Sequence, residues 1–352
     1  MSISERLLGK KAAKDGKPHI ETVSPGSALA GAEIRITGRA LRPPEFRVPR
    51  VHFGDIQAAI VVSCDEFVVA RVPEGALTGP VVVATNGHIS NAQSVRVAVP
   101  IADELHPVTN PAIDHDGNIF VTFSGSRGQD TPVSIYKIDT NYAVKPFVSE
   151  LMNATALAFD GDGQLYVSSR YDGTVYRVAP NGTMATYAEG MGVATGIAFD
   201  RNRNLYVGDR SGTIFKISPD RQMFVFAMLE PSMSAYHLAF DADGDLFVTG
   251  PTTSSYDSVY RVDPHGTVST FYRGLGRPQG LAFDVEGNLY VAGSLQGSSG
   301  IVKITADGKA SLELAGRGLV GLAFAPGGAA ILATTNAIHH ISWNIRGLPL
   351  VP

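Results

Sequence analysis

The sequence predicts an all-β chain in which a small immunoglobulin-like sandwich is followed by a six-bladed β-propeller. Residues 18–98 alternate short apolar runs with turns rich in Gly and Pro, which is typical of a sandwich of antiparallel strands. Residues 99–346 repeat a pattern of four short β runs at intervals of about 40 residues, which is typical of propeller blades. A strand-like segment between the two regions predicts how the last blade is completed.

The composition is that of an ordinary globular protein and argues against several classes of function. The 352 residues are 44% hydrophobic and 18% charged, and the net charge of −4 gives no basic field that would predict a nucleic-acid partner. The single cysteine, Cys64, excludes an intramolecular disulfide framework. No apolar run reaches the ~20 residues that a membrane span requires.

The first 17 residues predict a flexible tail. They carry Arg6 and four lysines but lack the apolar core of a signal peptide. As the sequence is written, this predicts a cytoplasmic protein, whereas a leader already removed would make it periplasmic or secreted. Residues 347–352 are predicted to form a short C-terminal tail.

Residues 18–98 contain seven short strand-like runs, from HIETVSP at the start to SVRVAV at the end. The region has neither paired cysteines nor a Trp, so an antibody-type domain is not indicated. The pattern IETVSPGSALAGAEIRITG at 20–38 resembles the IPT/TIG family, as do VHFG at 51–54 and VPEG at 72–75. The resemblance covers essentially all of residues 18–98 and implies an interaction or spacer module without catalytic activity.

The repeat that follows is marked by the aspartate after each "A-F". Residues 158–167 read AFDGDGQLYV, and residues 282–291 read AFDVEGNLYV. Four short β runs per copy describe one four-stranded blade, so six copies predict six blades. The anchor positions of the copies are Asp114, Asp160, Asp200, Asp241, Asp284 and Ala325.

The last copy lacks a fourth run, because only IRGLPLVP follows Trp343 and Asn344. The segment at 97–105 aligns with the outer strand of the fourth copy, which begins at Val268, but has no blade of its own. We therefore expect this inter-domain segment to complete blade six. Joining the two ends of the ring in one sheet removes an open edge that would otherwise promote aggregation.

The motif D-x-D-G, as in Asp160–Gly163, can be interpreted as a calcium loop or as a hairpin turn. An EF-hand-like loop has Gly at its sixth position and Glu at its twelfth. Counted from the aspartate, Gly163 is fourth and Tyr171 is twelfth. The third copy reads DRNR at 200–203, and its arginines would repel a cation. The motif therefore predicts hairpin turns.

Strand order predicts which face carries the site. In an up-and-down blade, the D-x-D-G turns lie on one face, and the loops after each second strand lie on the other with the connections between blades. The loops of this second face differ between copies, for example SRYDG at 169–173 and GPTTSSYD at 250–257. Regular turns indicate a scaffold and irregular loops a site, so we expect a site at the channel mouth on the irregular face.

Copies of "G-L-A-F-D-x-x-G-N-L-Y-V", as at 280–291, resemble the NHL-repeat and gluconolactonase (senescence-marker) groups of six-bladed propellers. The gluconolactonase resemblance implies a divalent metal held by Glu, Asn and Asp just before the first strand of the blades. None of the matching positions is acidic, so we expect no metal and no other cofactor, with a divalent cation in the channel as the alternative. These positions are Thr109, Thr155, Thr195, Tyr236, Gln279 and Val320.

Polar and basic residues on the irregular face predict binding of a small polar or anionic ligand, or of a protein partner. Guanidinium groups can hold a carboxylate or phosphate through paired hydrogen bonds. The alternative is that each Arg is solvated or pairs with a local acid such as Asp172 or Asp209. The candidate ligand-binding residues are Asn110, Arg127, Thr155, Arg170, Thr195, Arg210, Tyr236, His237 and Gln279.

Two classes of function fit these observations. The first is a binding module in which the sandwich adds a second interaction surface. The second is a metal-assisted hydrolase of the lactonase type, with an altered ligand set drawn from Asn110 and from its candidate catalytic residues His106, His237 and Asp209. RNA binding, as in some NHL propellers, would need a basic patch with aromatic residues, and the acidic net charge does not favour it.

Overall fold

The computed structural model describes residues 16–43, 47–126 and 128–348. Most of the expected N-terminal tail, Arg127 and the last four residues of the C-terminal tail lie outside the described residues. The chain divides into two compact units. The first runs to Ala98 and includes Leu314–Gly316, and the second holds Val99–Glu313 and continues from Arg317.

The first unit consists of short strands around a single apolar core. Glycine- and proline-containing turns separate runs whose buried and exposed positions alternate, as in β3, where Ile34 and Ile36 are buried. Its strands are β1 (His19–Ser24), β2 (Ser27–Leu29), β3 (Glu33–Arg39), β4 (Arg50–Phe53), β5 (Ile56–Ser63), β6 (Phe67–Arg71), β7 (Gly79–Thr85), β8 (His88–Ile89) and the first part of β9 (Gln93–Ala102).

Most of these strands form two antiparallel sets, and β2 pairs parallel to β9. Strands β1, β3, β6 and β5 pair in that order, and β4 and β9 pair with the two edges of β7. Strand β5 also pairs with β4 and so links the two sets. Residues from both sets, such as Ile34, Val68, Val81 and Val95, meet in the same buried cluster.

The second unit is built from successive groups of antiparallel strands. Its strands are β10 (Ala112–Ile113), β11 (Ile119–Thr122), β12 (Ile135–Ile138) and β13 (Val144–Val148); β14 (Ala154–Phe159), β15 (Leu165–Ser169), β16 (Thr174–Val178) and β17 (Met184–Ala188); β18 (Ala194–Phe199), β19 (Leu205–Asp209), β20 (Thr213–Ile217) and β21 (Met223–Met228); β22 (His237–Phe240), β23 (Leu246–Thr249), β24 (Asp257–Val262) and β25 (Val268–Gly276); β26 (Leu281–Phe283), β27 (Leu289–Leu295), β28 (Ser298–Ile304) and β29 (Ala310–Ala315); β30 (Leu319–Ala325), β31 (Ala329–Thr334) and β32 (Ile338–Ser342).

Within each group, strands that are consecutive in the chain pair with one another. The groups β10–β13, β14–β17 and β18–β21 are separate four-stranded sheets, and β22–β25 pair in the same order. The first strand of each group packs beside the first strand of the next group, from β10 to β30, and β30 packs beside β10. The six first strands therefore surround a common centre.

A repeated aromatic contact joins neighbouring groups. Phe199, which precedes an anchor aspartate, packs edge-to-face on Tyr166 of the preceding group, with ring centroids 4.9 Å apart. Phe240 on Tyr206 and Phe283 on Phe247 repeat the arrangement. Each such pair contributes about 0.5–1.5 kcal/mol beyond the area it buries. The Phe of the "A-F-D" motif is therefore an inter-sheet packing residue.

Strand β9 supplies a fourth strand to the last group. Beyond Ala98 it runs antiparallel to β32, with Ala102 opposite Ile338 and Val99 opposite His340. Strand β32 pairs on its other side with β31, so neither edge of β32 is open. The segment that the sequence predicts to complete the last blade therefore pairs with β32, the third strand of the last group.

The anchor aspartates hold the hairpin turns through their own side chains. Asp284 is only 4% exposed, and its Oδ1 accepts hydrogen bonds from the backbone amides of Glu286 and Asn288, at 2.9 and 2.8 Å. Its Oδ2 accepts from the Asn288 Nδ2 and from the Tyr290 hydroxyl, at 2.8 and 3.2 Å. Both oxygens therefore serve the turn itself, as is typical of Asx turns.

Candidate functional site

A cavity of about 920 Å³ lies in the middle of the second unit, bordered by the first strands of all six groups. Its outer end is formed by exposed turn residues, including His115, Asp162 and Gly327. Its inner end is formed by Thr109, Asn110 and His237, of which Thr109 and His237 are buried. The cavity therefore opens on the face of the D-x-D-G turns, opposite to the face that the sequence indicated.

Apolar side chains make most of the wall of the cavity, and alanines alternate there with larger residues such as Leu157 and Ile197. The residue two positions before each anchor is Ala in every copy of the repeat, and all six alanines border the cavity. Because Ala carries only a methyl group, these positions occupy less of the centre than larger side chains would. The ring consists of Ala112, Ala158, Ala198, Ala239, Ala282 and Ala323.

A second ring lies two residues further into the cavity, at the position four residues before each anchor. Four of its members are Gly or Ala, and an added Cβ on Gly321 would lie 2.6 Å from the Cα of Asn110. At the glycines of this ring, neighbouring inner strands are therefore too close for a side chain. The ring consists of Asn110, Ala156, Gly196, His237, Gly280 and Gly321, so only two members carry large polar side chains.

Asn110 joins three groups of strands. Its Nδ2 donates a hydrogen bond to the Leu281 carbonyl at 2.9 Å, and its Oδ1 accepts one from the Leu322 amide at 3.0 Å. The side chain of the first group thereby satisfies backbone groups of the fifth and sixth. Asn110 therefore has a structural role, because it connects the inner strands at the inner end of the cavity.

His237 differs from Asn110 because one of its ring nitrogens is buried without a hydrogen-bond partner. The residue is 3% exposed, and its Nε2 has no hydrogen-bond partner. Burial lowers the pKa of His237 to about 3, so the imidazole is neutral at physiological pH. A neutral imidazole has one nitrogen that donates and one that accepts. His237 thus borders the inner end of the cavity as an uncharged residue, and its Nε2 is buried away from the open space.

Charged groups are confined to the outer end. Arg203 forms a two-pronged ion pair with Asp162, at 3.0 and 2.9 Å, and both side chains are largely exposed. Arg346 is exposed at the same rim. Exposed charges of this kind are strongly screened by water. The charges at the rim therefore contribute less to the choice of ligand than the apolar wall does.

The hydroxyl-bearing candidates five positions before the anchors serve the scaffold. Thr155 Oγ1 donates to the Asn153 carbonyl at 2.9 Å, and Thr195 Oγ1 donates to the Gly208 carbonyl at 2.8 Å. Tyr236 is 1% exposed, and its hydroxyl donates to the Glu230 carbonyl. Gln279 is half-buried, and its backbone carbonyl accepts a hydrogen bond from Thr249 Oγ1 at 2.5 Å.

The arginine candidates that the structure describes point to backbone carbonyls. Arg170 donates to the Gly125 carbonyl at 2.7 Å, and Arg210 donates to the Met233 carbonyl at 3.0 Å. A smaller cavity of about 410 Å³ on this face is bordered by Met233, 252–255, Gly276 and Arg277. The predicted anion site therefore has no assembled guanidinium cluster among the contacts described.

The candidate catalytic residues have separate partners. The Nδ1 of His106 lies 3.3 Å from the Thr335 carbonyl, and its ring packs edge-to-face on Phe123. Asp209 is 8% exposed and accepts from the Val193 amide at 2.8 Å and from the Ser211 hydroxyl. Of the predicted candidates within the described residues, Asn110 and His237 border the central cavity.

A divalent metal does not fit the donors present. Among the residues that the structure describes, no three His, Cys, Asp or Glu side chains are placed to hold an ion together. The positions that correspond to lactonase ligands carry no carboxylate, and hydroxyls among them are already bonded to backbone carbonyls, as Thr155 and Thr195 show. A hard cation needs several oxygen donors, including carboxylates.

No protein-family model and no curated protein matches the sequence. Solved structures do match, at low identity. A gluconolactonase from Xanthomonas campestris is 13% identical, with a TM-score of 0.57 over 69% of this chain and 88% of that one. An auxiliary nutrient binding protein from Bacteroides thetaiotaomicron is 11% identical, with a TM-score of 0.56 over 94% and 98%. Virginiamycin B lyase from Staphylococcus aureus is 13% identical, with a TM-score of 0.51 over 80% and 93%.

These similarities show the fold, which is a β-propeller of the kind found in gluconolactonases and virginiamycin B lyases. At such identities they do not carry an activity over to this chain. Within the described residues, no helix has the length and apolar character needed to cross a membrane.

Proposed function

We propose that the chain is a ligand-binding module whose propeller takes a small molecule into its central cavity. In this proposal the propeller has six blades, and the first unit is an immunoglobulin-like sandwich of the IPT/TIG type that offers a second interaction surface. The six inner strands, each packed beside the next, support the blade count. The two antiparallel strand sets around one core support the sandwich.

The ring of six alanines is the observation that carries the proposal. A scaffold without a ligand gains stability from a filled centre, because packed apolar atoms add dispersion energy. Here every copy of the repeat keeps Ala at one wall position beside larger apolar residues, and a volume of about 920 Å³ is left. Ligand sites in proteins typically have volumes of about 300–1,000 Å³ and mostly apolar walls.

The cavity favours a ligand with an apolar body over the polar or anionic molecule expected from the arginines. Arg170 and Arg210 already donate to backbone carbonyls on the opposite face. A binding role agrees with the nutrient binding protein among the structural neighbours. The donor groups described above give no comparable support to a metal-assisted hydrolase.

Filling the cavity tests the proposal. N-phenyl-1-naphthylamine, a neutral dye that fluoresces in apolar surroundings, is titrated into the full chain. We expect saturable binding to the natural protein and affinity at least about tenfold weaker in the double variant Ala158→Leu/Ala198→Leu, because two buried leucines occupy the space of the probe. The matched control is Ala185→Leu, on the exposed outer strand β17.

Two results would reject the proposal. One is the absence of saturable dye binding to the natural chain. The other is equal affinity in the natural protein and the double variant while the far-ultraviolet spectrum and melting temperature show both to be folded. If the double variant unfolds, the single variant Ala198→Leu replaces it in the same comparison.

A further inference from the structure

We propose that the smaller cavity, on the face opposite to the mouth of the central one, binds the phosphate group of a small molecule. This cavity has a volume of about 410 Å³ and is bordered by Met233, the loop 252–255, Gly276 and Arg277. It is separate from the central cavity, so the inference goes beyond the proposed function and does not depend on it.

The border of the cavity combines one positive charge with several hydroxyls. Among the described residues that form it, Arg277 alone is charged, and each residue of the loop 252–255 carries a hydroxyl. Arg277 is exposed, and no described residue forms an ion pair or hydrogen bond with its guanidinium. A guanidinium can hold two phosphate oxygens through paired hydrogen bonds, and hydroxyls can donate to the others.

Arg277 is an unusual residue for its backbone conformation. It lies seven positions before the anchor Asp284, with a φ of 48°. The same position in the second and sixth copies holds Asn153 and Gly318, with φ values of 52° and 72°. Asn and Gly adopt this left-handed region readily, whereas an Arg is strained there. Residues kept in spite of such strain concentrate at ligand sites.

Asn153 shows which part of the molecule a side chain at this position serves. Its Oδ1 accepts a hydrogen bond from the Gly128 amide at 2.8 Å, and its Nδ2 donates to the Ser126 carbonyl at 2.9 Å. Both partners belong to the loop between β11 and β12 of the preceding group. Arg277 and the corresponding loop between β23 and β24 instead border an open cavity. The guanidinium is therefore left available to a ligand.

The hydroxyl-bearing loop is already ordered and still has donors to offer. Asp257 is 2% exposed, and its Oδ1 accepts from the amide and the hydroxyl of Thr252, at 2.9 and 2.6 Å. The Ser254 hydroxyl accepts from a backbone amide of the loop at 3.0 Å, which leaves its proton free to donate. Thr253 and Ser255 are exposed, and their hydroxyls have no partner among the described residues. Binding a ligand therefore requires little further ordering of the loop.

A second guanidinium near the cavity favours a doubly charged anion. The Arg210 Nη2 donates to the backbone carbonyl of Met233 at 3.0 Å, and Met233 borders the cavity. Two neighbouring positive charges raise the local concentration of anions. A phosphate group has more charge and more acceptor oxygens than a carboxylate, so it matches the guanidinium and the hydroxyls better.

The test is a titration of the full chain with inorganic phosphate, followed by phosphorus-31 NMR at constant ionic strength. We expect saturable binding to the natural protein and affinity at least about tenfold weaker in Arg277→Asn, because the charged partner of the phosphate is lost. The melting temperature of this variant should be unchanged or higher, since Asn adopts the left-handed conformation more readily. The matched control Arg273→Asn, on the exposed outer strand β25, removes the same charge and should bind as the natural protein does.

Three results would overturn the proposal. They are the absence of saturable phosphate binding to the natural chain, equal affinity in the natural chain and Arg277→Asn, and acetate binding at least as tight as phosphate binding. If Arg277→Asn does not fold, Arg277→Gly replaces it, because Gly318 holds this position in the sixth copy. Binding of N-phenyl-1-naphthylamine should be the same in the natural chain and in Arg277→Asn, so the two cavities are tested separately.

Discussion

At the scale of single residues, the unpaired burial of His237 should be visible in the pH dependence of stability. Its pKa is lowered to about 3 in the folded state, against an ordinary value of 6.5 in the unfolded chain. A lowered folded-state pKa means that stability is complete above pH 6.5 and is lost as the pH falls, because the unfolded state takes up the proton first. The loss approaches about 1.4 kcal/mol per pH unit below that point.

The variant His237→Gln should lack this pH-dependent loss of stability. Between about pH 7.5 and about pH 4.5, we expect the natural protein to lose roughly 2–3 kcal/mol more unfolding free energy than the variant. Urea unfolding followed by the fluorescence of Trp343, the single Trp, monitors the second unit. His339 and His340, whose pKa values burial also lowers, remain in both proteins and cancel in the difference. Parallel pH profiles would contradict the prediction.

The residue scale also shows why the sequence indicated side chains other than those that border the central cavity. Sequence analysis examined the positions five residues before each anchor, where Thr155 and Thr195 turned out to bond to backbone carbonyls. The cavity-lining ring begins one residue later, and a shift of one residue moves a side chain to the other face of a strand. A recognisable signal was present, since Ala occupies the wall position in every copy.

The partners of the arginines were not predictable in the same way. Arg170 and Arg210 reach carbonyls of Gly125 and Met233, which belong to other loops. A residue's position relative to its own strand does not reveal which distant loop approaches its side chain. The same limit applies to Asn110, whose partners are 171 and 212 residues away in the chain.

At the scale of elements, the anchor aspartates should be essential to their turns without being calcium sites. Asp284 uses both carboxylate oxygens on groups of its own hairpin, including Asn288 and Tyr290. We expect Asp284→Ala to lower the unfolding free energy by about 2–4 kcal/mol, because four hydrogen bonds to a buried carboxylate are lost. Asp263→Ala, in an exposed turn with two backbone contacts, should have a smaller effect.

Calcium addition completes this prediction. Because the Asp284 oxygens are already saturated, millimolar CaCl₂ should shift the melting temperature of the natural protein by less than ~1 °C. Thermal unfolding followed by Trp343 fluorescence, with MgCl₂ as the ionic-strength control, measures the shift. A rise with calcium that disappears in Asp284→Ala would identify these turns as metal sites instead.

The predictable elements were the strands in which apolar and polar residues alternate clearly or which are bounded by typical turn residues. The absent fourth run of the last repeat correctly indicated that the segment near residue 100 pairs with β32, as the pairing of Val99 with His340 shows. The short strand β2 and the 3₁₀ turn at Pro326–Gly328 were not predictable. Both contain few residues, so they carry too little periodicity to be recognised in the sequence.

At the scale of the whole molecule, the ring of inner strands depends on contacts between distant parts of the chain, and Asn110 provides a measurable one. It bonds to backbone groups of Leu281 and Leu322, which would lose their partners if the amide were removed. The added Cβ of a larger residue at Gly280 or Gly321 would collide with the same side chain, so the three positions fit one another closely.

We expect Asn110→Ala to reduce the unfolding free energy of the second unit by about 2–4 kcal/mol, since two buried backbone groups are left unsatisfied. Asn110→Asp should not restore it, because a carboxylate can accept from the Leu322 amide but cannot donate to the Leu281 carbonyl. Asn141→Ala, at an exposed turn, is the matched control. Urea unfolding followed by Trp343 fluorescence measures all three variants. If Asn110→Ala behaves like Asn141→Ala, the amide does not fasten the ring, and packing between inner strands alone must hold it closed.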